Sequence, residues 1–266
     1  MKISIKILLF FLLAGISLNL ACKKSNVANE QPVEVIAPET NGPEKPLLPT
    51  EMGTGKAKII FSYDDNQLLT KIEYGDGTNK VIQYNKSFVP KRISTYQGTL
   101  LLKFTEFLIS ENGLLITTGY STKIEGNKMI STGRYDLIYG ETSYPSAISY
   151  YNSSEKLLLK QTLTFTPTGN LLNETSEDKN LNTTNQFDEN PGIFKQVKFN
   201  WLFALEEENK VFLSASNNIK QYEFPVQPAK NQTFTYEYKD KQYPSTVNIT
   251  VNSVKTTSKI TYKAMN

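Results

Sequence analysis

Hydrophobic and polar residues alternate along most of the chain from residue 56 to residue 266. One face of the stretch KAKIIFSY carries Ala57, Ile59, Phe61 and Tyr63. The same alternation recurs in LLTKIEY, TLLLKFTEFLI, KLLLKQTLTF, QTFTYEYK and VNITV. A period of two residues over such lengths is the pattern of half-buried β-strands. The sequence therefore predicts an all-β domain over residues 56–266.

Short polar turns separate the predicted strands. Examples are Gly75-Asp76-Gly77, Glu111-Asn112-Gly113 and Thr168-Gly169-Asn170. Glycine and asparagine adopt the positive φ angles that tight hairpin loops need. Parallel strands would require crossovers of a dozen or more residues, usually helical, and the sequence has no long helical period. The strands are therefore predicted to form an antiparallel meander of many hairpins.

One stretch departs from the alternation. Between residues 191 and 205, apolar side chains recur at helical spacing, at Phe194, Val197, Trp201 and Leu205. This spacing predicts one short helix near 191–205, which would plug one end or face of the sheet with Trp201. Glu206 to Glu208 are predicted to be its solvated, charged end, with a metal cluster as the weaker alternative.

The first 21 residues have the organisation of a cleaved secretory signal peptide. Lys2 and Lys6 precede an apolar run, which lacks the ~20 residues that a spanning helix needs. Leu18-Asn19-Leu20-Ala21-Cys22 resembles the lipobox of bacterial lipoproteins, although Asn19 stands where an aliphatic residue is usual. The resemblance implies cleavage before Cys22 and lipidation of its thiol, with the membrane as a partner through that lipid.

Residues 22–55 are predicted to be the lipidated cysteine followed by a proline-rich tether. Prolines stand at positions 32, 38, 43, 46 and 49, and the segment has no aromatic residue. Such a composition buries too little apolar surface to offset the entropy lost on ordering. The folded domain is therefore predicted to begin at residue 56.

The composition excludes several kinds of chemistry. The chain has no histidine, which removes Ser-His-Asp triads and histidine-based zinc sites. Loss of residues 1–21 leaves 29 − 2 = 27 basic and 26 acidic residues, a net charge near +1. No basic stripe stands out, so nucleic acid is not expected as a partner. We expect no cofactor, no metal site and no enzymatic activity.

Three stretches resemble Bacteroidetes lipoproteins that carry a domain of unknown function described as having a porin-like fold. They are Phe187-Asp188-Glu189-Asn190-Pro191, Ser216-Asn217-Asn218-Ile219, and Phe234-Thr235-Tyr236-Glu237-Tyr238 followed by Tyr243-Pro244. The first stretch has one residue fewer in its spacer than the family pattern. The resemblance implies a single strongly curved antiparallel sheet or incomplete barrel, and it implies no established activity.

Aromatic residues are the remaining candidates for a functional site. Rings that could stack on a ligand are Tyr150, Tyr151, Trp201, Tyr236 and Tyr238, although aromatic residues also pack across strands. With the anchor and tether, they favour a noncatalytic ligand-binding module of the cell envelope, for which a glycan is one candidate ligand. The alternatives are a structural partner in an envelope complex through β-edge pairing and, less favoured, a carboxylate-based glycan hydrolase. The expected location is the outer membrane, on its periplasmic face or the cell surface.

Overall fold

The computed structural model describes residues 46–207, 209–239 and 242–265. The predicted signal peptide, Cys22 and most of the predicted tether lie outside these residues. Sixteen antiparallel strands follow one another in chain order, each beside its sequence neighbours. Their bounds are β1 (Leu47–Met52), β2 (Ile59–Tyr63), β3 (Leu69–Tyr74), β4 (Thr78–Tyr84), β5 (Pro90–Gln97), β6 (Leu100–Ile109), β7 (Ile116–Glu125), β8 (Lys128–Tyr139), β9 (Pro145–Tyr151), β10 (Leu157–Phe165), β11 (Leu171–Ser176), β12 (Thr183–Pro191), β13 (Asn217–Glu223), β14 (Gln232–Tyr238), β15 (Pro244–Val251) and β16 (Val254–Ala264).

The sheet closes into a complete barrel. β1 pairs with β16, with Met52 opposite Ile260, and it pairs with β2 on its other side. The prediction of an open curved sheet or incomplete barrel is therefore wrong. The closing strand lies in the segment assigned to the tether, so the folded domain begins before residue 56. Pro49 concealed it, because proline cannot donate to a strand ladder, and the pairing register shifts between Pro49 and Glu51.

Closure has a consequence for the predicted partners. A free edge strand offers unpaired backbone groups to another chain. Among the described strands, each has a neighbour on both sides. The expectation of an envelope partner that adds a strand to an open edge therefore loses its structural basis.

The hairpins alternate between the two ends of the barrel. Loops that lead from an odd-numbered strand to the next even-numbered strand share one end, which we call the cavity end. Three short 3₁₀ turns lie in these loops, at Gly55–Ala57, Lys179–Leu181 and Pro228–Lys230. The other loops share the opposite end, which we call the plug end. Both ends of the described chain meet there, because the Met265 N–H donates to the Pro46 carbonyl at 2.9 Å.

A long insertion between β12 and β13 leaves the barrel wall at the plug end. We call this insertion, residues 192–216, the plug. It contains the helix α1 (Asn200–Glu206) and a 3₁₀ turn (Lys210–Leu213). The prediction of one short helix near 191–205 is confirmed by α1. The helix begins later than the spacing suggested, because Phe199 before it has a left-handed conformation with φ of 58°.

The contacts of the plug place it inside the barrel. Phe61 of β2 meets two plug rings edge-on, Phe194 at 5.5 Å and Phe212 at 6.1 Å between centroids. On another part of the wall, Tyr139 of β8 meets Trp201 edge-on at 6.4 Å. Since β2 and β8 are separated by five strands in one direction and nine in the other, the plug lies in the lumen between them.

The plug supplies a core that the wall cannot supply alone. Side chains fill a barrel of eight strands, whereas a barrel of sixteen leaves an open lumen. Burial of each large apolar side chain contributes about 1.5–3 kcal/mol. The largest fully buried side chains of the plug are Ile193, Phe194, Leu202, Val211 and Phe212. The middle of the barrel is therefore a packed core rather than a channel.

Tyrosines line the interior near the plug end in a repeated arrangement. Each lies on an even-numbered strand and donates its hydroxyl to a backbone carbonyl of the strand before it, at 2.7–2.9 Å. Burial raises the pKa of each of these hydroxyls. The tyrosines are Tyr63, Tyr84, Tyr139, Tyr236 and Tyr262. Among the described residues, no helix is long and apolar enough to cross a bilayer.

Candidate functional site

The plug leaves space in the lumen toward the cavity end. Three adjoining cavities of about 590, 330 and 210 Å³ share Glu206 in their lining. Exposed Asp76 and Lys103 line the largest of them, so it opens to solvent. We call these three spaces together the lumenal cavity. Its charged and hydroxyl groups include Tyr74, Lys80, Lys103, Tyr135, Glu206 and Glu207.

Glu207 follows the last residue of α1 and is held by two strands of the wall. Its Oε1 accepts from Lys80 Nζ at 2.7 Å, and its Oε2 accepts from the Tyr74 hydroxyl at 2.6 Å. Lys80 also donates to the Glu206 carbonyl at 3.0 Å, which is one of the groups that a helix leaves unpaired at its C-terminus. Only 8% of Glu207 is exposed. A charge so buried needs a partner, and this ion pair joins the plug to β3 and β4.

Glu206 lies beside this ion pair and has a perturbed acidity. Its Oε1 accepts a hydrogen bond from the Tyr135 hydroxyl at 2.9 Å. Burial raises the pKa of Glu206, while the Tyr135 hydrogen bond and the charges of Lys80 and Lys103 oppose the rise. Burial and the nearby Glu206 also raise the pKa of Tyr135. A carboxyl with a raised pKa keeps its proton to higher pH, so Glu206 can donate a hydrogen bond as well as accept one.

Strand alternation explains why two lysine side chains point into the lumen. Lys80 shares a face of β4 with Ile82 and Tyr84, and Lys103 shares a face of β6 with Phe107. Ile82 and Phe107 belong to the core, so both lysines point inward. Neither lysine was predicted as a site residue from the sequence. The available signal was a lysine on the apolar face of an alternating strand, which marks an interior charge in need of a partner.

The base of the plug is fixed by the three stretches that carry the family resemblance. Asp188 Oδ1 accepts from the Asn218 N–H at 3.1 Å, and its Oδ2 accepts from the Tyr238 hydroxyl at 2.7 Å. The Asn218 side chain donates to the Pro191 carbonyl at 2.9 Å and accepts from the Ile193 N–H at 3.1 Å. These bonds tie the two wall strands that flank the plug to its first residues. We call this group the base cluster.

The structure corrects the prediction for the acidic residues after the helix. Glu206 and Glu207 were expected to be a solvated helix end, but both lie in the lumen because α1 points toward the cavity end. Glu208 is outside the described residues. Within residues 46–207, 209–239 and 242–265, no three acidic or cysteine side chains are grouped so that they could hold a metal ion.

The five aromatic residues predicted to stack on a ligand lie in three places. Tyr150 and Tyr151 line the 330 Å³ part of the lumenal cavity. Trp201 lines a separate cavity of about 410 Å³ at the plug end. The ring centroids of Tyr236 and Tyr238 are 6.4 Å apart, and both hydroxyls donate hydrogen bonds within the protein. The structure therefore brings two of the five to the lumenal cavity, and a ligand role for any of them stays a prediction.

Comparisons with known proteins support the fold. No family model matches this chain, and no curated protein matches it. Among solved structures, it is similar to a porin-like protein from Bacteroides uniformis, with a TM-score of 0.53 and 14% identity over 84% of this chain and 99% of that one. The chain also matches part of the Photorhabdus luminescens Tc holotoxin pore, with a TM-score of 0.29 and 12% identity over 76% of this chain and 9% of that one. The first likeness shows a shared fold, which confirms the porin-like part of the resemblance.

Proposed function

We propose that this protein is a noncatalytic ligand-binding module of the bacterial cell envelope and that it holds a small polar ligand in the lumenal cavity. The observation that carries the proposal is a closed barrel whose plug blocks passage and leaves an open space of about 590 Å³ with charges of both signs. Small-molecule sites typically have volumes of roughly 300–1,000 Å³ and a few convergent polar groups. The architecture therefore favours binding over transport.

A glycan is the class of ligand that the lining favours. Sugar hydroxyls both donate and accept hydrogen bonds. Lys80 and Lys103 offer donors, Glu206 and Glu207 offer acceptors, and the ring of Tyr150 offers an apolar surface in the adjoining space. This combination of a ring with convergent polar groups suits a sugar better than an apolar ligand.

The binding proposal is tested with residues 23–266, which lack Cys22 and contain all sixteen described strands. Isothermal titration with a panel of monosaccharides and oligosaccharides is expected to find a ligand. Lys103→Gln then removes an exposed cavity charge and should weaken binding roughly tenfold or more. Lys71→Gln is the matched control, because Lys71 pairs with Glu73 at 2.8 Å outside the lumenal cavity. If no glycan in the panel gave a heat of binding, the ligand class would be refuted. If Lys103→Gln bound the ligand with unchanged affinity, the site would be refuted.

Lipid anchoring through Cys22 at the outer membrane, on its periplasmic face or the cell surface, completes the proposal. Its support is the lipobox-like stretch before Cys22. Cys22→Ala is expected to release the protein from carbonate-washed membranes, while the control Ser25→Ala stays in the pellet. Retention of Cys22→Ala in the membrane fraction would contradict the anchor.

A carboxylate-based glycan hydrolase is the second candidate. The observation that favours it is the raised pKa of Glu206 beside a second carboxylate in an open cavity, since a general acid needs its proton near neutral pH. The test is release of reducing sugar from the glycan that binds. Release that is lost in Glu206→Gln would support hydrolysis, and binding without release would support the module.

A further inference from the structure

The cavity end presents exposed apolar side chains at consecutive hairpins. The four most exposed large apolar side chains of the described residues are between 63% and 68% exposed, and all four lie in hairpins at this end. They are Leu100, Met129, Leu158 and Val254. Leu181 and Val226 extend the series to the two hairpins between those of Leu158 and Val254. Among the described residues, the plug end exposes fewer large apolar side chains, and each is between 44% and 60% exposed: Phe88, Leu108, Leu114 and Ile138. Single exposed apolar residues need no explanation, but the greater concentration at the cavity end marks it as an interaction surface.

An exposed lysine accompanies the apolar residue in five successive hairpins, from the β7–β8 loop to the β15–β16 loop. These hairpins join ten of the sixteen strands and therefore surround more than half of the cavity end. We call the five lysines and their apolar neighbours the rim. Its members are Lys128 with Met129, Lys156 with Leu158, Lys179 with Leu181, Lys230 with Val226, and Lys255 with Val254.

Acidic residues in the same hairpins are partly neutralised. Glu125 pairs with Lys123 at 2.5 Å, and Glu155 pairs with Arg134 at 2.7 Å. Three acidic residues have no ion pair among the described residues: Glu177 and Asp178 beside Lys179, and Glu223 at the end of β13. The five rim lysines therefore exceed the acidic residues of these hairpins that have no basic partner among the described residues. The rim thus complements a negatively charged surface.

We propose that the rim docks on a lipid bilayer with anionic headgroups. Apolar side chains bury at the boundary between headgroups and acyl chains, and adjacent lysines attract anionic lipids. Lysine is depleted in protein–protein interfaces, so an arc of paired lysine and apolar residues fits a lipid surface better than an acidic protein. The outer wall carries the ion pairs Lys71–Glu73 and Arg92–Glu106, so the contact is made by the end of the barrel. This inference does not rest on the proposed ligand.

Sedimentation with vesicles tests the docking surface. Residues 23–266 are used, because they lack the predicted lipid attachment at Cys22. The protein is expected to sediment with vesicles of phosphatidylcholine mixed with phosphatidylglycerol and to stay largely in solution with phosphatidylcholine alone. High salt should weaken the binding, since it screens exposed charges. Equal partitioning into both vesicles, or none into either, would overturn the proposal.

Variants at the two ends of the barrel locate the contact. The triple variant Lys128→Gln, Lys156→Gln and Lys255→Gln should lower partitioning into anionic vesicles by about fivefold per lysine, or roughly a hundredfold in total. The matched control replaces three exposed lysines at the plug end, Lys86, Lys195 and Lys198, by glutamine and should bind normally.

The apolar members are tested with Met129→Ser, Leu158→Ser and Val254→Ser together, which should also reduce sedimentation. All these side chains are exposed, and thermal unfolding verifies that each variant remains folded. An equal loss in the plug-end control would refute the rim as the contact. The proposal would also be refuted if the protein did not sediment with vesicles but bound an acidic protein.

Discussion

The ion pair between Lys80 and Glu207 should hold the plug in the barrel, and Glu207→Ala removes one half of it. The variant leaves the Lys80 ammonium with the Glu206 carbonyl as its remaining hydrogen-bond acceptor among the contacts described above. It also deprives the Tyr74 hydroxyl of its acceptor. The wild-type side chains of Lys80 and Glu207 are 12% and 7% exposed, so water replaces the lost carboxylate poorly.

The expected loss of unfolding free energy in Glu207→Ala follows from that burial. Loss of one partner from a buried ion pair costs about 3–5 kcal/mol, because the other charge is left uncompensated. The lumenal cavity admits some water, which places the expected loss near the lower limit, at about 3 kcal/mol. Glu73→Ala is the matched control. Its partner is Lys71, both side chains are about two-fifths exposed, and an exposed pair contributes under about 1 kcal/mol.

A double-mutant cycle with Lys80→Met isolates the pair. The double variant leaves neither charge of the pair without its partner. Its loss of unfolding free energy should therefore be smaller than the sum of the losses in the two single variants. We expect a coupling of about 2–3 kcal/mol, which is within the range for residues in direct contact. Lys71→Met and Glu73→Ala provide the same cycle on the outer wall, where the coupling should be small.

Urea unfolding provides the assay, because the chain has one tryptophan and it lies in the plug. Fluorescence of Trp201 follows the plug, and far-ultraviolet circular dichroism follows the sheet. In Glu207→Ala, both transitions should shift to lower urea, or the fluorescence change should precede the loss of the sheet. A loss equal to that of Glu73→Ala, with no coupling to Lys80, would refute the view that this ion pair holds the plug.

Two further predictions concern the base cluster and pH. Asp188→Ala should cost about 2–4 kcal/mol in urea unfolding, because it leaves the buried Asn218 N–H and the Tyr238 hydroxyl without their acceptor, whereas exposed Glu189→Ala should cost little. The raised pKa of Glu206 means that the folded state binds its proton more tightly than the unfolded state. The stabilising contribution of protonated Glu206 to the free energy of unfolding is therefore fully present below the ordinary pKa of 4.5 and is lost as pH rises through the raised pKa. Glu206→Gln should flatten that part of the plot of urea midpoint against pH. An unchanged plot would contradict the assignment.

Local pattern was sufficient to predict several strands and turns of the wall. Alternation in KAKIIFSY and TLLLKFTEFLI identifies β2 and β6, and Gly75-Asp76-Gly77 falls in the turn between β3 and β4. The apolar spacing through Trp201 identifies α1. These features depend on residues close in sequence, so the sequence encodes them directly.

Closure could not be read in the same way. The closing pair joins Met52 to Ile260 across almost the whole chain, and no local period specifies such a partner. Pro49 also makes the first strand look like tether. A meander with one strand hidden leaves two free edges, which explains why an incomplete barrel was the expected fold.

The site was hidden for a related reason. Lys80 and Glu207 are 127 positions apart, and their meeting depends on how deep the plug reaches into the lumen. A charged run after a short helix is usually solvated. Only the combination of an inward lysine in β4 with acids at the tip of an inserted segment would have indicated an interior ion pair.

The charged tip of the plug is better explained by binding than by stability. A buried ion pair can often be replaced by apolar residues of similar volume with no loss of stability, and apart from Ser214 the other buried side chains of the plug are apolar. The double variant Lys80→Met and Glu207→Leu should therefore remain folded but lose affinity for the ligand found by titration. If it kept full affinity, the charges would serve only to seat the plug. If it unfolded while Lys103→Gln still bound normally, the lumenal cavity would be structural and the ligand would have to lie elsewhere.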